Sequence, residues 1–337
     1  MKYPIAIVVL LGLLVAAGQP ERLPVVDLNT PLTEVEQALG APVREDTRVK
    51  DLPGVSLELG QRIVLENELA GGQNQSNHFK CTSCHNVVRE DPVLTTADPA
   101  ARLAYAEEHD LPFLPGTTLW GAVNRETYYN GDYVKKYGDL VAKARNDLRG
   151  AIQLCATECA QGRALTAVEM ESVITYLHTI GLKLSDLPAS ESLVPEVNAA
   201  LTAATPEPRT RVLAQLQNAY NRASPASFIL PPADRKTGYP VAKMADPARG
   251  ELIYDRACMH CHEDQRYSFF LMEKNDEHYK YLAKHFPRYT RYSTYQTVRY
   301  GTSPIPGKRA YMPHYTAERM SDLQIEDLRA FLEDAML

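Results

Sequence analysis

Cysteine is scarce in this chain. Six in 337 residues are too few for a fold built on a dense disulfide framework, so each one has to be explained individually. There is one tryptophan, and phenylalanine stands at 7 against 19 tyrosines. Excess positive charge is also missing: the formal net charge of -6 disfavours generic nucleic-acid binding, which needs a basic surface. The one long apolar run, Ile5 to Ala17, falls short of the roughly 20 residues that span a bilayer. It follows Lys2 and ends in small residues, the layout of a secretory signal peptide. The sequence thus predicts a signal over residues 1–18, a periplasmic location, and membrane contact only if that segment is retained.

Four of the six cysteines stand in two C-x-x-C-H motifs, Cys81-Thr-Ser-Cys84-His85 and Cys258-Met-His-Cys261-His262. In this pattern two thiols add across the haem vinyl groups and the adjoining imidazole binds iron from one face. A redox dithiol would not need the histidine, and a zinc site would not need the motif repeated. Two covalently bound haem c groups are implied, held by Cys81, Cys84, Cys258 and Cys261, with His85 and His262 on the irons.

The flanks repeat too. A helical opening, "LELGQRIVLE" or "ARGELIYDRA", precedes each motif, and Leu252, Ile253 and Ala257 are spaced to face one core. In the first copy a polar, Gly- and Asn-rich insertion separates helix from cysteines. Each copy closes on a helix announced by a capping box, Thr166-x-x-Glu169 and Ser321-x-x-Gln324. This arrangement resembles two class I cytochrome c domains, and the resemblance implies an all-α fold. The domains are expected over 50–182 and 245–337. Between them, 183–244 reads as a helical, Pro-rich connector with apolar spacing through Val194, Val197, Leu201, Val212, Leu216 and Tyr220.

Each iron needs a second axial ligand or an open site. In the second domain Met312, before a proline in the loop ahead of the closing helix, resembles the axial methionine of class I cytochromes, and a thioether raises the potential. Met320 and His314 compete with it, Met320 being better suited to packing. The corresponding place in the first domain holds no methionine. It is bracketed by Cys155 and Cys159, and His109 is another candidate.

The segment "AIQLCATECAQGRALTAVEMESVITYL", with the first motif, resembles the haem-binding region of thiosulfate dehydrogenases and of the A subunit of the sulfur-oxidation cytochrome. Members of both place a cysteine thiolate on a catalytic haem iron. The resemblance implies Cys155 as sixth ligand, with Ile152, Gln161-Gly162 and Leu165 matching the pattern. It departs from that pattern at Glu158-Cys159, where the thiosulfate enzymes usually have Arg-Ser, and Lys143 and Arg145 are the nearby cations. A Cys155–Cys159 disulfide and an open iron site are the other readings.

The expected function is an exported dihaem cytochrome that transfers electrons between redox protein partners, with haem two as the high-potential relay. The alternatives are an oxidoreductase passing electrons from a small sulfur anion to a cytochrome acceptor, and a dihaem peroxidase. No catalytic residue is assigned. A run from Lys280 to Tyr315 with Lys280, Lys284, Arg288, Arg291, Arg299, Lys308 and Arg309 and no acid suggests either a docking face or partners for haem propionates. Trp120 is expected in the core.

Overall fold

A computed structural model describes residues 25–303 and 311–335; the signal segment, Lys308 and Arg309 lie outside them. The fold is all-α, and no strand occurs among the described residues. The elements run α1 (Leu32–Ala38), α2 (Leu57–Glu66), α3 (Pro99–Glu108), α4 (Asp132–Tyr137), α5 (Asp139–Ala142), α6 (Leu148–Leu154), α7 (Ala167–Thr179), α8 (Ser190–Thr202), α9 (Glu207–Gln217), α10 (Pro247–Ile253), α11 (Met259–His262), α12 (Asp276–His285), α13 (Thr294–Tyr300) and α14 (Asp322–Asp334). One π-helical turn, Cys155–Cys159, follows α6, and another, Tyr254–Cys258, follows α10.

The two halves share a helix crossing that is built alike to the residue. Opening helix α2 packs on closing helix α7, and α10 packs on α14. Ser56 caps α2 and Asp246 caps α10, each with its side chain accepting from the first turn. Four positions on stand Gly60 and Gly250. A Cβ on Gly60 would overlap the Ser172 carbonyl and press on Tyr176, and one on Gly250 would overlap the Asp327 carbonyl and press on Phe331. Ser172 and Tyr176 lie six and ten residues beyond the cap Thr166, as Asp327 and Phe331 lie beyond Ser321. Glycine is therefore required for backbone-to-backbone approach at both crossings.

Backbone hydrogen bonds repeat the register. The Ser56 amide donates to Ser172 Oγ at 3.1 Å, and the Asp246 amide donates to Asp327 Oδ1 at 2.7 Å. Both closing helices start with the expected reciprocal capping box, Thr166 with Glu169 and Ser321 with Gln324. An arginine holds each closing helix with paired bonds, from a different element in each half: Arg149 of α6 to Glu171 of α7 at 2.7 and 2.6 Å, and Arg249 of α10 to Asp327 of α14 at 2.9 Å for both contacts. Val173, Ile174 and Leu177 from α7 and Ile325, Leu328 and Leu332 from α14 fill the two cores.

A third apolar core lies between the halves in sequence. Val197 and Leu201 of α8 and Val212 and Leu216 of α9 pack with Tyr220, with Leu32 and Val35 of α1, and with Leu184. The stretch 183–244 thus carries a packed helical layer that recruits the segment before α2, for which the sequence offered no expectation. Trp120 is only half-buried and packs against this layer.

Candidate functional site

The two C-x-x-C-H motifs touch. The His260 ring lies with Nε2 3.3 Å from the Thr82 carbonyl oxygen, and the Cys261 thiol donates to the Ser83 carbonyl at 3.7 Å. Cys84 and Cys261, the second cysteine of each motif, are close enough to interact electrostatically. All four motif cysteines are half-buried, and desolvation pushes each thiol up, Cys81 to about 11 and Cys258 and Cys261 to about 12.

Both motif histidines are held alike. His85 Nδ1 donates to the Thr117 carbonyl at 2.7 Å and His262 Nδ1 to the Phe270 carbonyl at 2.8 Å. A carbonyl only accepts, so each Nδ1 carries the proton and each Nε2 keeps its lone pair. That tautomer, fixed through the outer ring nitrogen, is the one an iron ligand needs. Burial depresses both imidazoles further, favouring the neutral form. Gly116 lies flat against the His85 ring, where a Cβ would come within 2.6 Å of Nδ1 and of the Cys84 carbonyl oxygen. The free sulfurs and the two oriented imidazoles fit covalent haem at both motifs.

The second half holds the first in this posture. Arg319, 7 % exposed, pairs with Glu90 at 2.7 Å and donates to the Leu114 and Gly116 carbonyls at 2.9 and 2.8 Å. Glu90 in turn accepts from the Thr118 amide at 2.8 Å and from Asn86 at 2.9 Å. The loop whose Thr117 orients His85 is therefore clamped by a residue of the second half. Arg102, 1 % exposed, stacks on Phe113 at 4.2 Å and donates to the Arg319 carbonyl. Leu103 and Phe113 sit in the core of the second half. This seam is not legible from local sequence, because its partners lie more than two hundred residues apart.

Cys155 and Cys159 begin and end the π-helical turn after α6, closed by the Ala160 amide on the Cys155 carbonyl at 2.8 Å. Such wide single turns recur at functional sites. Their sulfurs are not joined; they hydrogen-bond each other. The Cys155 thiol raises its own affinity for its proton by that bond, and the bond holds Cys159 down, with help from the Tyr311 hydroxyl. Cys155 also lies near Cys81 and Cys84. The polar insertion before the first motif folds over this turn: Gln75 donates to the Ala156 and Arg163 carbonyls at 3.0 and 2.8 Å, and Ser76 donates to the Ala160 carbonyl. Gly162 leaves room for Gln75, and Gln161 takes the left-handed conformation that turns the chain.

His109 caps the C-terminus of α3 as an exposed ring stacked on Tyr105 at 3.8 Å, a surface position unsuited to an iron ligand. Lys143, Arg145 and Glu158 are exposed. Met320, 1 % exposed, is core. Met312 is half-buried; its amide donates to Thr302 Oγ1 at 2.7 Å and its carbonyl accepts from the Thr302 amide at 2.9 Å. His314, two residues on, is buried with no partner for Nε2 and packs on Phe228 at 4.3 Å. Burial, with Lys136 nearby, pushes it down to about 4. Of the basic run, Arg299 is 2 % exposed and ion-paired to Asp322 at 2.5 Å, so it belongs to the core and not to a docking face.

Residues 245–332 match the family model described as cytochrome C oxidase, cbb3-type, subunit III. No curated protein and no solved structure matches the chain. The second half is thus a cytochrome c domain, which implies covalently bound haem c, electron transfer and redox protein partners.

Proposed function

We propose that this protein is an exported cytochrome with two covalently bound haem c groups, one in each half, relaying electrons between redox partners. The observation that carries the reading is the direct contact of the two attachment motifs, His260 against Thr82 and Cys261 against Ser83. Thioether attachment at Cys84 and Cys261 would bring the two haem edges to one seam, and short separation is what makes intramolecular transfer fast. Support for a first haem comes from the shared helix crossing at Gly60 and Gly250 and the shared Nδ1 bonds of His85 and His262. When bound, haem supplies a one-electron carrier whose potential is set by axial ligand and burial. His262 with Met312 would hold the higher-potential iron, and His85 with Cys155 the lower.

A second reading, oxidation of a small sulfur anion at the first site, is favoured by one feature, the closeness of Cys155 to Cys81 and Cys84. The exposed positions of Lys143, Arg145 and Glu158 weigh against a dianion pocket there.

Haem counting tests the proposal. Intact mass and a pyridine haemochrome of the purified protein should give two haems per chain, falling to one in C81A/C84A and one in C258A/C261A. A wild-type count of one overturns it.

A further inference from the structure

The Cys155–Cys159 pair has features that neither attachment nor packing explains. Two thiols four residues apart hydrogen-bond on one side of a π-helical turn. A third donor, the Tyr311 hydroxyl, reaches Cys159 from the other half of the molecule. Tyr129 and Tyr133, with ring centroids 5.6 Å apart, lie beside the sulfurs, and Phe79 meets the Tyr311 ring edge-on at 6.4 Å. Gln75 and Ser76 lie over the turn. The pair is therefore half-buried among these side chains, next to Cys81 and Cys84. A structural disulfide would be joined, and a simple iron ligand would need one sulfur.

We propose that Cys155 and Cys159 form a reversible dithiol–disulfide couple that exchanges two electrons with the haem pair. In oxidation two S–H bonds break, one S–S bond forms, two protons leave, and two ferric haems each take one electron. This rests on the two-haem reading, which supplies the matching count of one-electron acceptors. The sulfurs lie beside the thiols that would carry the first haem, so a ferric iron there would be the nearest electron acceptor. Forming the bond also draws the Cys155 sulfur away from any role opposite His85, so the oxidation state of the pair sets the first iron's coordination.

The test uses the holoprotein. Samples treated with excess ferricyanide, or with a phosphine reductant, are acid-quenched, denatured and alkylated, and the tryptic peptide Gly150–Arg163 is weighed. The reduced sample should carry two alkyl groups, and the ferricyanide sample none, with a mass two hydrogens lower. Fully reduced holoprotein, freed of reductant anaerobically, should consume four equivalents of ferricyanide, one for each haem and two for the pair, against two in C159S. Two alkyl groups on the peptide after ferricyanide overturns the couple. Haem counting by intact mass is independent of the peptide, so a count below two overturns the underlying reading and is recognised as such.

Discussion

At the scale of single residues, the side chains that would face iron decide the potentials. Met312 and His314 are two residues apart, and a thioether stabilises ferrous iron where an imidazole does so less. Replacing Met312 with Ala should lower the potential of the second haem by on the order of 100 mV and change its visible spectrum, while H314A should leave both nearly unchanged. An optical redox titration distinguishes them, and the reverse pattern would move the ligand to His314. The motifs themselves were legible in the sequence, because C-x-x-C-H is local and its chemistry dictates its spacing. Tyr311 was not: its bond to Cys159 joins two loops from different halves. The buried pair of Arg319 and Glu90 was equally invisible, since nothing in the spacing of a charge says it will be desolvated. Breaking such a pair leaves a charge buried and uncompensated. Arg319→Met should cost about 3–5 kcal/mol in denaturant unfolding. A loss under 1 kcal/mol would show that the seam carries little stability.

At the scale of elements, the helix crossing is the unit that repeats. The capping boxes and apolar stripes of α7 and α14 could be read directly, because caps and periodicity are local rules. The glycines that seat the opening helices could not, since a glycine in a helical pattern does not announce what it approaches. Alanine at Gly60 or Gly250 would meet a backbone carbonyl, which cannot move aside as a flexible side chain can. We expect G250A to destabilise by about 1–3 kcal/mol or more, the usual cost of overpacking, and to reduce haem incorporation in the second half selectively. Circular dichroism melts and haem content of the two variants check this. The insertion before the first motif, read only as a polar interruption, turns out to cover the Cys155–Cys159 turn through Gln75 and Ser76.

At the scale of the whole molecule, three apolar cores are joined by a polar seam, and the attachment motifs meet at that seam. A chain of rings leads outward from the second motif: His262 to Phe270 at 5.8 Å, Phe270 to Tyr281 at 5.7 Å and Tyr281 to His285 at 4.3 Å. Tyr281 is exposed, among the exposed cations Lys280, Lys284 and Arg288. Against an acidic whole, this face suits an acidic redox partner, and steering by such charges acts mainly on association rate. The K280E/K284E variant should slow second-order transfer to an acidic partner by roughly tenfold at low salt, with the difference shrinking as salt is raised. A stopped-flow rate that ignores both charge and salt would place docking elsewhere. No helix among the described residues is long and apolar enough to cross a membrane.

The central claim is that the touching motifs make one conductor of two haems. Its most direct test is rapid reduction of the oxidised protein with a substoichiometric electron pulse, followed at wavelengths that separate the two haems. The account predicts a first-order phase, independent of protein concentration, in which the electron moves from one haem to the other, and which vanishes in C81A/C84A. Two haems that equilibrate only through collisions between molecules, at a rate rising with concentration, would contradict it.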